Sequence, residues 1–268
     1  MDSLYYLLLF GIAVLPVILL MIFIYRQDKY EKEPIKSLAK AFIGGILAIP
    51  LDIMIITPIE LILGHSFEES IVLFNAFLGA GIPEELCKFI IFMIFIWRDK
   101  NFNEYFDGIV YATFIGLGFA CVENIEYVFM FGFQTGVVRA LISVPGHFLF
   151  GIIMGHFLSL AKFHPEKRIK YLLLGLLLPM LAHGLFDFLL MSSAYMDPII
   201  GAIIYLIFIV GDIFLWKIGI RFIRRQQENS RRQAQEARVT DLEYQIRQAR
   251  HGYDSEYKRI DWDAGDRQ

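Results

Sequence analysis

Four carboxylates and two imidazoles stand inside stretches that are otherwise almost wholly apolar: Glu84, Glu85, Glu123 and Asp187, with His147 and His183. Placing a carboxylate at bilayer depth costs about 2.5–3.5 kcal/mol on insertion scales. Four would cost on the order of 10–14 kcal/mol, comparable to the net stability of an ordinary domain. Such groups persist where they find partners, or do chemistry, in a shared polar cavity. The chemistry open to them is hydrolytic. A glutamate can act as general base on water, and imidazoles aimed at the same point can polarise a carbonyl and hold the oxyanion of a tetrahedral intermediate. Those parts suffice to cut a peptide bond without a covalent intermediate. The alternative is zinc on His147, His183 and Glu123, with one coordination position left open.

Spacing adds direction to this list. Glu84 and Lys88 are four residues apart, so they share a helix face and can pair. Glu84 and Glu85 are adjacent, point about 100° apart on a helix, and therefore suit two roles rather than one. His183 and Asp187 again stand at i and i+4, which lets the carboxylate orient the ring. Gly79, Gly81 and Pro83 precede the glutamate pair and predict a break, with the pair at a helix N-terminus beside a wet cavity. His156 is half a turn out of phase with His147 and falls outside the set. Asp107 before Gly108 reads as a helix cap, and Gly108, Gly116 and Gly118 as sites of close helix packing. There is no His-Glu-x-x-His for a zinc helix and no Gly-x-Ser-x-Gly nucleophile setting.

These residues need a scaffold that spans a membrane. The chain of 268 residues is 56% hydrophobic with 25 Phe and only 20% charge, and the charge is segregated. Seven stretches approach or exceed the length needed to cross: 4–25, 39–63, 71–97, 107–131, 137–161, 169–191 and 199–222. This is an all-α, polytopic pattern. Arg26, Lys29, Lys32, Lys36 and Lys40, then Arg98 and Lys100, then Lys162, Lys167, Arg168 and Lys170, and finally Arg221, Arg224 and Arg225 fall on one side. The alternate loops, His65 to Glu69, Gly132 to Gly136 and Ser192 to Asp197, carry no Lys or Arg. An N-terminus outside and a cytoplasmic C-terminus follow. The N-terminal residues lack the basic stretch of a secretory signal. At 1.5 Å per residue, Glu84 and Glu85 lie roughly 20 Å down, His147 roughly 15 Å, Glu123 and His183 roughly 12 Å and Asp187 roughly 6 Å. All six fall between the midplane and the outer face.

Residues 1–223 thus form a transmembrane core, with the motif-bearing part at about 80–190. Residues 224–268 form a charged cytoplasmic tail, helical or partly disordered, in which Val239, Leu242, Ile246 and Ala249 follow a 3-4-3 seam. Cys87 and Cys121 both fall in apolar spans, so neither a disulfide framework nor a cysteine zinc site is indicated. No nucleic-acid signature occurs, and the bilayer itself is the expected partner surface. The spacing does not fix an oligomeric state.

Glu84-Glu85-Leu86-Cys87-Lys88 resembles the Glu-Glu-x-x-Lys/Arg motif of the PrsW-type intramembrane proteases. Glu104 to Tyr111, Gly116 to Ala120 and Glu123-Asn124 resemble that family's second block, His147 with Gly151 its third, and His183 with Asp187 its fourth. The motif layout is also similar to that of CAAX-prenyl endopeptidases and bacteriocin-processing enzymes. The resemblance implies that Glu84 and Glu85 activate water, with Lys88 and Asn124 in support. It implies that Glu123 and His147 complete the polar cluster and that His183 with Asp187 binds the oxyanion or orients water. It further implies a bacterial cytoplasmic-membrane protease making the first cut in a single-span anti-sigma factor near its extracytoplasmic face, as part of a stress response. A metal-free glutamic mechanism is the preferred expectation, because the glutamate pair carries its own cation and the histidines lie on separate helices. Zinc is the alternative, and a proton- or ion-coupled transporter using Asp52 and Asp212 is the competing class.

Overall fold

The computed structural model describes residues 2–63 and 71–265, all of whose regular structure is helical. In chain order the helices are α1 (Asp2–Gln27), α2 (Ile35–Leu63), α3 (Ile71–Phe74), a π-helical segment (Asn75–Gly81), α4 (Ile82–Phe95), α5 (Asp107–Phe131), α6 (Phe133–Leu141), α7 (Ser143–Phe163), a 3₁₀ turn (Pro165–Lys167), α8 (Arg168–Tyr195) and α9 (Pro198–Gly265). Six helical runs among the described residues are long and apolar enough to cross a membrane.

The expected third span, 71–97, is the exception, because it is not one α-helix. It is wound as α3, seven residues of π-helix and then α4. Pro83 has no N–H to return to Gly79, and the wider turns before it absorb the mismatch. Pro83 falls in the first turn of α4, with Glu84 and Glu85 directly after it. The expected fifth span also divides, into α6 and α7 on either side of Ile142. Gly132, at φ 85°, turns the chain between α5 and α6 in a conformation that only glycine adopts freely. The last span and the tail, by contrast, form one uninterrupted helix of 68 residues. The seam positions Val239, Leu242 and Ile246 on it are exposed. The expected loop His65 to Glu69 and the side chain of Ala249 lie outside the described residues.

The bundle is organised around α5, which is buried from Asp107 to Cys121. Helices α2 and α7 both pack on it, and small residues set their distance. A Cβ on Gly155 would collide with the backbone of Gly108, and one on Gly118 with the Phe42 carbonyl. Both cysteines are free and buried. The outward faces of α1, α2, α8 and α9 carry long apolar side chains such as Leu7, Met54, Leu181 and Phe214. That is the surface a bilayer would cover.

Where α1 ends and α2 begins, a second group of acids is buried: Asp28, Glu33, Glu104 and Asp107. The expected cap at Asp107 does not form. Its Oδ2 instead accepts from the amides of Asn103 and Glu104, at 2.9 and 2.6 Å, and so closes the loop before the helix. The amide of Glu33 donates to Asp28 Oδ2 at 3.2 Å, and the Tyr111 hydroxyl donates to Glu33. The amide of Phe106 is satisfied by Ser230 Oγ of α9 at 2.9 Å.

Candidate active site

The six acids and imidazoles singled out by spacing meet in one place. Two backbone contacts bring their helices together. Gly81, at the end of the π-segment, lies against Gly184 of α8 so closely that a Cβ would come within 2.5 Å of its amide nitrogen. This contact sets the start of α4 beside His183. In the same way Gly116 of α5 lies under the His147 carbonyl of α7, where a Cβ would stand 3.0 Å from the oxygen. Any larger residue at these positions would wedge the site apart.

Lys88 is the hub. Its Nζ lies 2.7 Å from Glu85 Oε1, 3.1 Å from Glu84 Oε2 and 3.0 Å from His147 Nδ1, with the Phe119 ring 4.2 Å away. The ion pair expected between Glu84 and Lys88 is therefore shared with Glu85. His183 Nδ1 is 3.1 Å from Glu85 Oε1 and 4.0 Å from Glu84 Oε2, and its Nε2 is 3.3 Å from Asp187. His147 Nε2 is 2.8 Å from Glu123 Oε2. Each imidazole thus turns one nitrogen to its own carboxylate and the other to the glutamate pair. Partners settle the tautomer of His147. The ammonium of Lys88 needs a lone pair on Nδ1, so the proton sits on Nε2 and is donated to Glu123.

The two adjacent glutamates are placed differently. Glu84 lines a cavity of about 800 Å³ together with Glu123, His147, His183 and Asp187, while Glu85 and Lys88 lie behind that wall. Asp52 of α2 and Asn75 of the π-segment also line it. Asp212 and His156 do not. His156 stacks on Phe222 of α9, with ring centroids 3.9 Å apart.

One oxygen of each glutamate and one nitrogen of each imidazole lie within 4.8 Å of one another, a set able to hold a metal ion. It differs from the trio named from spacing, because Glu123 stands on the far side of His147. The fit to a divalent ion is good in two respects. Both rings have their outer nitrogen on a carboxylate, the arrangement that orients metal-binding histidines. Glu85 Oε2 is buried with no hydrogen-bond partner.

Arg139 was hidden from spacing arguments, being one basic residue inside an assumed span. It sits on α6, with Nη2 3.0 Å from Glu123 Oε1 and Nε 3.0 Å from Asn124 Oδ1. Asn124 in turn donates to the Ala13 carbonyl at 2.7 Å.

Comparison with known proteins agrees with this geometry. A family model described as PrsW family intramembrane metalloprotease matches residues 33–212. The chain is 36% identical over 232 residues to Protease PrsW of Clostridioides difficile (strain 630), covering 84% of this chain and 93% of that protein. It is 37% identical over 218 residues to Protease PrsW of Bacillus subtilis (strain 168), covering 79% and 91% respectively. No solved structure matches the chain. With six membrane-crossing helices and such relatives, this is a multi-pass bacterial membrane protein. It belongs to the PrsW family of intramembrane metalloproteases.

Proposed function

We propose that the chain hydrolyses a peptide bond of a single-span membrane protein, of anti-sigma factor type, near the extracytoplasmic face. The observation that carries this reading is the wall of the cavity, where Glu84, His147 and His183 from three helices face one space inside an apolar bundle. Without a metal, Glu84 would be the general base: it borders the cavity, while Lys88 holds its Oε2 at 3.1 Å and fixes its direction. Glu85 keeps Lys88 and His183 in place from behind. His183, backed by Asp187, is positioned to hold the developing oxyanion or the attacking water. In this orientation the N-terminus is outside, residues 224–268 are the cytoplasmic tail, and the cluster lies in the outer half of the membrane.

We favour a divalent metal on Glu84, Glu85, His147 and His183, against the metal-free preference that spacing alone suggests. The carboxylate behind each imidazole is the reason. Among the described residues, lysine or arginine cations pair with Glu84, Glu85 and Glu123 but not with Asp187, so carboxylates outnumber these cations around the two rings, a setting that suits a doubly charged ion. Such an ion, when bound, polarises the scissile carbonyl and activates water. The metal-free glutamic reading keeps one observation in its favour: the Lys88 ammonium already bridges three of the four donors.

N-terminal peptide profiling tests the activity, comparing membranes from cells with the native protein and a Glu84→Ala, Glu85→Ala double variant at matched abundance. New N-termini in a single-span protein are expected with the native chain only. Identical profiles under envelope stress would remove the protease reading. Elemental analysis of purified protein then separates the mechanisms, since stoichiometric metal is expected in the native chain. Full cleavage after chelation to sub-stoichiometric metal would restore the metal-free glutamate.

A further inference from the structure

We infer that Arg139 is a positioning residue, which by gripping Glu123 fixes the orientation and tautomer of His147. This rests on the reading of His147 as part of the hydrolytic site. Four direct contacts carry it, and they run in one line. Arg139 Nη2 holds Glu123 Oε1 at 3.0 Å, the other oxygen of Glu123 meets His147 Nε2 at 2.8 Å, and His147 Nδ1 faces Lys88 at 3.0 Å and Glu84 Oε2 at 3.9 Å. Remove the first contact and the rest loses its anchor. A lone glutamate at the edge of a cavity can rotate, and its hydrogen bond from Nε2 is what leaves the Nδ1 lone pair turned to the Lys88 ammonium beside Glu84.

The guanidinium is itself held from three directions. Its Nε donates to Asn124, which is tied to α1 through the Ala13 carbonyl, and its Cζ lies 4.1 Å from the centroid of the Tyr127 ring. A guanidinium that hydrogen-bonds Asn124 through Nε, ion-pairs with Glu123 through Nη2 and lies on an aromatic face is a task for arginine and not lysine. The side chain is only 11% exposed. Moreover, α6 is joined to α7 through Ile142, at φ −120° and ψ −66°, and packs on α1 and α5, so Arg139 adds a side-chain tie from this short helix to the carboxylate beside His147. Arg139 therefore braces both the carboxylate and the short helix that leads into α7.

The test uses Arg139→Met, Arg139→Lys, Glu123→Gln and the Arg139→Met, Glu123→Gln double variant in the full chain. The first readout is the amount of the new N-termini formed in membranes. Arg139→Met should lower it about 10–100-fold, the usual effect of removing a partner one step outside a site, and Arg139→Lys should recover part of the loss. If Arg139 acts through Glu123, the double variant is no worse than Glu123→Gln alone. Losses that multiply would mean that Arg139 meets substrate directly, and would overturn the inference. The second readout needs no activity: nitrogen NMR of protein labelled with ¹⁵N-histidine in bilayers, with His147→Asn used to assign the signal. His147 should be a single Nε2–H tautomer in the native chain and a mixture in Arg139→Met. An unchanged tautomer refutes the inference even if cleavage falls. Arg139→Lys supplies the same comparison if Arg139→Met does not fold. Loss of all new N-termini in Glu84→Ala, Glu85→Ala speaks to the protease reading alone, so the two failures remain separate.

Discussion

The molecule buries acids at both ends of its bundle, and it treats them in opposite ways. At the candidate active site, Glu84, Glu85 and Glu123 each meet a cation held at 2.7–3.1 Å, from Lys88 or Arg139. At the other end, Asp28, Glu33, Glu104 and Asp107 are 0, 3, 6 and 0% exposed. Among the described residues none of these four forms an ion pair with lysine or arginine. Their partners are backbone amides and one hydroxyl, and the acids also face one another, Asp28 with Glu104 and Glu33 with Asp107. The first arrangement keeps charge available for chemistry. The second buries acids beside acids, which raises their affinity for protons, and ties loops to helices. Burial pushes the Glu33 carboxyl up to about 7. It pushes Glu104 up to about 8, with neighbouring Asp28 adding to the effect.

The sharpest test of this contrast is loss of function without loss of fold. Glu84→Gln should lower cleavage on the order of 10²–10⁴-fold, while thermal unfolding in detergent stays close to native. A matching collapse of stability would make the site another structural knot. Next in size, Lys88→Met leaves Glu85 buried without its cation, which should destabilise by about 3–5 kcal/mol. Denaturant unfolding reads this, and a native-like midpoint would mean the ammonium is not what compensates the pair.

The acid-rich end predicts a pH effect of defined sign. Glu33 and Glu104 bind protons more tightly folded than at their ordinary value of 4.5. Stability should be greatest below that pH and decline as pH rises through about 7 to 8. Thermal midpoints from pH 5 to 9 measure it, and Glu104→Gln should flatten the slope; a midpoint that climbs with pH would reverse the reading. The smallest effect belongs to His156→Phe. Its ring stacks on Phe222 and lies away from the cavity, so new N-termini should be unchanged and stability should move by about 1 kcal/mol or less.

Much of the site was legible because each of its members is an anomaly, a charge where the bilayer demands none. Glu84, Lys88, His183 and Asp187 could even be paired correctly, since i and i+4 contacts need only helical winding. Arg139 is hidden in the sequence because one straight helix across 137–161 gives the arginine no partner, whereas the chain breaks at Ile142. Its single signal was a lone guanidinium beside the glycines at 132 and 136. The acid-rich end was half legible. Asp107 was read locally, as a cap, whereas its partners precede the helix and its neighbours Asp28 and Glu33 come from far back in the chain. Long-range pairing of like charges leaves no periodic trace. The membrane pattern is plain in six helical runs, and the third expected span differs in winding, being built of three helical pieces.

That winding has a geometrical consequence. On a plain α-helix, residues nine apart point to opposite sides, since nine steps of about 100° leave half a turn over. Asn75 and Glu84 are nine apart, yet both border the same cavity. The seven π-wound residues between Phe74 and Ile82 turn by less per residue and so take out that surplus half turn. The segment thus works as an angular spacer: it dials the polar end of one helical piece into phase with the acidic start of the next. Were the same residues to tighten to ordinary pitch with none removed, the half turn would return and Asn75 would point away from the cavity, with every side chain of the motif still present and one of them facing the wrong way.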